Sequence, residues 1–286
     1  MPNPSTSPVV VGVTGTSASL AAVRLAAREA VSRGRQLRVV HAFTWLGSGP
    51  AAAGQDGDSA RRVAARVVEE AIATAQRSTP GVRVTGQLVD GSPDRVLLKL
   101  SRTAELLVVG DDDLATTPYL PPTSVLVQTV ARSWCPVLVA RGPRPPSGPV
   151  LAAVDGSKSS LLTLRHAAAE GRRRRVPVEV VHVVSDPGGR IEESGRRLLD
   201  DLVAGVPDLG RSRTRVLFGA PGQALVHASG RARVIVLGPR GAHDAGLLGS
   251  VAREVLHHGA CPTIFVHGRA VPGQRTPPKV SSMAKR

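Results

Sequence analysis

Aromatic side chains are almost missing from this 286-residue chain. Two tryptophans, one tyrosine and three phenylalanines are too few for the stacking platform that single-stranded nucleic acid needs. Lysine is nearly as scarce, with only Lys99, Lys158, Lys279 and Lys285 among 37 basic residues. The net charge of +15 is therefore an arginine charge, which follows from a GC-rich genome more simply than from a nucleic-acid surface. Two cysteines, Cys135 and Cys261, make neither a disulfide framework nor a zinc site, and they fit a reducing compartment. No apolar run approaches the roughly 18 residues that span a bilayer. The start, MPNPSTSPVVVGV, has no basic segment followed by a long apolar stretch. A soluble cytoplasmic protein with no membrane partner is expected.

What is present is a repeat. VVVGVTGTSAS from Val9 matches VLAAVDGSKSS from Val150, and VVHAF ending at Phe43 matches VVHVV ending at Val184, both 141 residues apart. Gly91 falls over Gly219 and Gly110 over Gly238 at a separation of 128, and Cys135 over Cys261 at 126. Thirteen residues are thus extra in the first half, and GSGPAAAGQDGDS after Leu46 is the obvious place for them. Two further residues are missing from the second half between Gly238 and Cys261. The stretch RGPRPPSGP, Arg141 to Pro149, holds four prolines and two glycines and reads as a linker. The division expected is a first domain over 1–142, a linker over 143–149, a second domain over 150–268 and a disordered basic tail over 269–286.

Short valine-rich runs alternate with helical stretches in each half, the pattern of a parallel sheet with crossover helices. The second half shows five strands: Val150 to Val154, Val176 to Val184, Thr214 to Phe218, Val234 to Gly238 and Thr263 to His267. Leu161, Leu164 and Ala168, then Ile191, Leu198, Leu199 and Leu202, sit at helical spacing, as do Val63, Val67, Ala71 and Ala75 in the first half. Runs such as VIVLG and LLVVG suit strands buried on both faces, with helices covering both sides.

Open α/β sheets bind ligands beyond the carboxyl ends of their strands, where strand order reverses. The first strand of the second half delivers Asp155-Gly156-Ser157 to that edge; the plain alternative is a helix cap. Strand four runs into Gly238-Pro-Arg-Gly241 and on to Gly249-Ser250-Val251, where a helix begins. Glycines let backbone amides approach an oxyanion, and the helix start adds partial positive charge. A phosphate-holding loop opposite a strand-end aspartate is the reading favoured.

These residues resemble the universal stress protein family in its tandem two-domain form, over nearly the whole chain. The family pattern is Val-Asp-Gly-Ser after strand one, His-Val on strand two, Gly-x2-Gly-x9-Gly-Ser/Thr after strand four and Cys-Pro-Val before strand five. The chain offers Asp155, His182-Val183, Gly238-x2-Gly241-x7-Gly249-Ser250-Val251 and Cys261-Pro262-Thr263. The resemblance implies two tandem doubly wound five-stranded parallel-sheet domains, Rossmann-like and adenine-nucleotide alpha-hydrolase-like, paired through their last strands as an intramolecular pseudo-dimer. It also implies ATP in the second domain, with Asp155 and Val183 flanking adenine, Leu237 and Gly238 at the ribose, and Gly241, Gly249, Ser250 and Val251 holding phosphates. The spacer after Gly241 is seven residues where the family has nine, a difference of up to about 7 Å of extended chain.

The first half departs further. Thr14 stands at the aspartate position, and the loop reads Gly110-Asp111-Asp112-Asp113 and then Thr123-Ser124-Val125. Three carboxylates where phosphate would lie repel it, so no nucleotide is expected in this half, and a solvated acidic loop is favoured over a metal site. His41 and His182 are expected as hydrogen-bonded structural residues, His257 and His258 as cations at a helix end, and Arg172 to Arg175 as a solvated turn. With no catalytic or metal-ligating residues in view, the expectation is a stress-response protein that binds an adenine nucleotide without turnover. The alternatives are a ligand-free structural tandem, an ATP-hydrolysing enzyme of the alpha-hydrolase type, and nucleic-acid binding through the tail. Homodimerisation stays open.

Overall fold

A computed structural model describes residues 7–44, 57–112, 114, 120–142, 147–157, 159–241 and 246–268. The valine-rich runs are strands: β1 (Val9–Gly12), β2 (Leu37–Phe43), β3 (Val84–Asp90), β4 (Leu106–Val109) and β5 (Val137–Val139), then β6 (Val150–Ala153), β7 (Val178–Val184), β8 (Ser212–Phe218), β9 (Val234–Leu237) and β10 (Thr263–Phe265). Between them run α1 (Ser17–Ser32), α2 (Gly57–Ser78), α3 (Pro93–Leu100) and α4 (Val125–Arg132), then α5 (Ser160–Arg174), α6 (Gly189–Ala204), α7 (Pro221–Ser229) and α8 (Ser250–His258).

The ten strands form one sheet in the order β3-β2-β1-β4-β5-β10-β9-β6-β7-β8. Each half is parallel and doubly wound, with its reversal of strand order between its first and fourth strands. The halves meet where β5 and β10 pair antiparallel, with Leu138 opposite Ile264 and Val137 opposite Phe265. Leu138 and Ile264 are the same position of the repeat, so the pairing is self-complementary, as at a two-fold dimer axis. Both would be unpaired apolar edges if the halves separated; instead they are fully buried.

Alternation along each strand sends its side chains to two cores. Val9, Val11, Val150 and Ile264 join one that continues across both halves, against α1, α2 and α5, while Val10, Leu107, Leu151 and Phe265 join the other, against α3, α4, α7 and α8. Helices cover both faces, as the continuous apolar runs require. The helical faces are shifted from the sequence expectation, however. Ala64, Val68, Ala71, Thr74 and Ala75 are the buried residues of α2, whereas Val63, Leu161 and Ile191 are exposed. Spacing alone fixes a stripe but not which edge of it faces the sheet.

The second contact between halves is ionic and repeats the same symmetry. Glu29 and Arg33 on α1 are equivalent to Glu170 and Arg174 on α5, and they cross-pair: Arg33 to Glu170 at 2.6 Å and Arg174 to Glu29 at 2.5 Å. Burial alone would raise the Glu170 carboxyl, but Arg33, Arg174 and Arg173 outweigh it and hold it below its ordinary value. This corrects the reading of Arg172 to Arg175 as a solvated turn. Arg173 and Arg174 close a buried ion cluster, Arg172 donates to the Asp208 carbonyl at 2.6 Å, and only Arg175 makes the turn, at φ 54°.

The extra length of the first half is placed differently from expectation as well. α2 has 22 residues and its counterpart α6 has 16, so Gly57 to Ser59 of the anticipated insertion are helical; the rest of it lies outside the described residues, as do 143–146 and the tail from 269. The described end of the linker is docked. Gly148 has no room for a Cβ, which would lie 2.0 Å from the Arg231 carbonyl oxygen, and the Arg233 N–H donates to the Pro149 carbonyl at 2.9 Å. Among the described residues, no helix is long and apolar enough to cross a membrane.

Candidate functional site

Each half opens a cavity at its own reversal of strand order, where diverging crossovers leave space above the strand ends. In the second half, β6 brings Ala153, Val154 and Asp155, β7 brings His182 and Val183, and β9 brings Leu237 and Gly238 to a cavity of about 170 Å³. Arg240 and Gly241 form one rim and Val251, on the first turn of α8, another. Six of the eight candidate residues therefore converge: Asp155, Val183, Leu237, Gly238, Gly241 and Val251. Gly249 and Ser250 do not line it. Gly249 is buried at the start of α8, and its N–H donates to the Pro239 carbonyl at 2.9 Å, tying the two ends of the loop together. Ser250 is exposed on the first turn, where helical amides lack acceptors within the helix.

Asp155 has structural work of its own. Its Oδ1 accepts from the Ser157 N–H at 3.0 Å and from the Ser160 hydroxyl at 3.1 Å, an arrangement that reverses the chain through Gly156 at φ +80° and starts α5. A carboxylate fixed in this way is a positioned acceptor beside the apolar pocket. His182 is equally fixed, its Nδ1 donating to the Val154 carbonyl at 2.9 Å, and His41 matches it at 2.8 Å from the Val13 carbonyl. Both are hydrogen-bonded as expected. What the sequence reading missed is that each ring also walls a cavity.

The first half has a cavity of about 180 Å³ in the equivalent place, lined by Val13, Thr14, His41, Leu97, Gly110, Asp112 and their neighbours. Its frame copies the second, but its mouth does not. Asp112 holds the position of Arg240, and Thr14 that of Asp155. The Asp112 carboxylate accepts from the Thr16 hydroxyl and lies across Gly110, with Oδ2 2.9 Å from where a Cβ would stand.

Arg240 was passed over in the sequence although it stands between Gly238 and Gly241; a lone cation in a glycine loop was the available signal. Ser159, Thr163 and Leu225 also line the second cavity, and only the helix packing reveals them. Cys135 and Cys261 are buried and unbridged, burial pushing their thiols up to about 11 and about 12. His257 departs from the expectation of a helix-end cation: burial first, then His258, Arg141 and Arg253, against Glu254, holds it below the ordinary imidazole value.

Comparison with known proteins agrees with this architecture. The sequence profile of the universal stress protein family matches residues 6–141 and again 147–267. A universal stress protein of Mycobacterium tuberculosis is 32% identical over 286 residues, covering 90% of this chain and 95% of that one. Another from Mycolicibacterium smegmatis is 29% identical, covering 91% and 97%. The crystal structure of a universal stress protein from Archaeoglobus fulgidus superposes with a TM-score of 0.69 at 17% identity, covering 92% of this chain and 98% of that one; at that identity the likeness is one of fold. Two complete matches to one profile, on two halves that each carry the strand-end cavity, place the chain in the universal stress protein family.

Proposed function

We propose that the chain binds an adenine nucleotide, ATP in the first instance, in the cavity of its second half, and acts in a cytoplasmic stress response through the bound state. The observation that carries this reading is the convergence of Asp155, Val183, Leu237, Gly238, Gly241 and Val251 on one cavity of about 170 Å³, with Arg240 at the rim. Apolar walls from Val183, Leu225 and Leu237 suit the faces of a base, and Asp155 supplies an acceptor for its exocyclic amine. Arg240 and the first-turn amides of α8 lie toward the phosphates.

Binding without turnover is the form of the proposal. Among the described lining residues the ionisable side chains are Asp155, His182 and Arg240. Asp155 braces the α5 turn and His182 is tethered to Val154, so neither is arranged with a nucleophile to activate water. The test is an equilibrium titration of ATP into the purified chain, with any co-purifying small molecule identified first. Saturable binding is expected, weakened at least tenfold by Gly238→Val, whose Cβ would stand 3.2 Å from the Arg240 carbonyl oxygen and 3.3 Å from the Ser159 hydroxyl, both on residues lining the cavity. No saturable binding, or unchanged affinity in that variant, contradicts the reading.

A further inference from the structure

Resting on that reading of the second half, we propose that the first-half cavity is also a binding site, for a small, largely apolar ligand that donates hydrogen bonds and carries no phosphate: a nucleoside rather than a nucleotide. The cavity, about 180 Å³, is no smaller than its counterpart, and Val40, Ala42, Leu97, Val109 and Leu126 give it the same apolar wall.

The polar groups at its mouth have their protons assigned by their partners. Thr16 has one hydroxyl proton, and it goes to the Asp112 carboxylate. Thr16 Oγ1 accepts from the Ser19 N–H at 3.2 Å, and its contact with Thr14 Oγ1 at 3.0 Å must then be a donation from Thr14, whose lone pairs are left facing outward. The Val13 carbonyl can only accept, so His41 carries its proton on Nδ1 and offers Nε2 as an acceptor when neutral. Asp112, Thr14 and His41 therefore all present acceptors to the cavity, and no lysine or arginine stands among its described lining residues.

A phosphate brings only acceptors and negative charge to that set. A nucleoside such as adenosine brings an exocyclic amine and three ribose hydroxyls, all able to donate. The second half keeps an acceptor at Asp155 and the tethered ring at His182 but has Arg240 as a cation where Asp112 stands. One chain thus carries two cavities of one frame that differ in the charge offered to a phosphate.

The experiment uses the full chain with one cavity filled at a time. Val251→Trp and Val125→Trp are equivalent positions lining the second and first cavities respectively, and thermal unfolding checks that each variant is folded. The Val251→Trp chain is expected to bind adenosine saturably and ATP at least tenfold more weakly. Absence of saturable adenosine binding, or ATP binding as well as adenosine, overturns the proposal. ATP binding by the Val125→Trp chain tests the second-half reading separately, so either can fail alone. Asp112→Arg, added to the Val251→Trp chain so that only the first cavity is open, is the independent check: adenosine affinity is expected to weaken at least tenfold, and unchanged adenosine affinity overturns the proposal.

Discussion

The two cavities differ at two positions of the mouth far more than anywhere in the frame around them. β1, β2 and β4 of the first half and β6, β7 and β9 of the second make the same walls, with His41 and His182 tied to equivalent carbonyls at 2.8 and 2.9 Å. At the mouth, Thr14 and Asp112 stand where Asp155 and Arg240 stand in the other half. Packing fixes the frame, because a shift in any buried strand would disturb two cores at once. Loop side chains at the strand ends touch neither core, so charge there can change without cost to the fold. In this family member, duplication has kept the shape twice and the electrostatics once.

Five substitutions break or sharpen that comparison. The equivalence of the halves depends most on the axis between β5 and β10, where Leu138 is 0% exposed. Leu138→Asp buries an unpaired charge there and is expected to cost more than about 4 kcal/mol, seen as loss of the cooperative unfolding transition or as aggregation on gel filtration. Next comes the ion cluster. Arg33→Ala removes one of the two cations that Glu29 and Glu170 share, leaving Arg174, and is expected to cost about 1 to 3 kcal/mol in chemical denaturation. The exposed pair of Arg197 with Glu193, at 74% and 60% exposure, sets the contrast: Arg197→Ala is expected to change stability by less than about 0.5 kcal/mol.

At the mouth, Arg240→Glu gives the second cavity the carboxylate that Asp112 supplies in the first, beside the Asp155 it already has. ATP affinity is expected to fall about tenfold or more at low salt, with a smaller difference at high salt as screening grows; titration at two ionic strengths reads both. The smallest effect is the pH response of the ion cluster. Glu170 has its folded value below the ordinary 4.5, so its contribution is complete above 4.5 and is lost as pH falls through the folded value. His166 is held below 6.5, by burial first and then by Arg33 and Arg173. The unfolded chain therefore takes up this proton first, and stability declines as pH drops below 6.5. His166→Gln is expected to flatten the profile of unfolding free energy between pH 6.5 and 5 while leaving the steeper acid limb.

Much of this was legible in the repeat. Valine-rich runs at matched separations gave the five strands of the second half and matching runs in the first, because burial on both faces leaves a strand little choice of residue; the doubly wound arrangement and the pairing of the last two strands came through the family resemblance. Asp155, Gly238, Gly241 and Val251 were legible as strand-end, loop and helix-start residues, whereas Val183 and Leu237 entered through that resemblance. Gly249 was legible as a loop glycine, but its service to Pro239 depends on how the loop closes. The acidic loop at Asp112 was read from the sequence as hostile to phosphate, whereas Arg240 offered only a lone cation in a glycine loop, and its alignment with Asp112 needed the repeat to be followed through that loop. The cross-pairing of Glu29, Arg33, Glu170 and Arg174 was available, since Glu29 and Glu170 differ by the same 141 residues as β1 and β6; it needed the repeat to be followed into its helices. The faces of α2, α5 and α6 were misjudged at Val63, Leu161 and Ile191 because a helix turned by one position keeps its spacing while changing what it buries.

The most direct measurement is the stoichiometry of ATP by isothermal titration, with the unaltered chain, Val251→Trp and Val125→Trp compared side by side. The account predicts one ATP per chain, lost in Val251→Trp and kept in Val125→Trp. Two equivalent ATP molecules per chain, or binding that survives Val251→Trp and disappears in Val125→Trp, would contradict it.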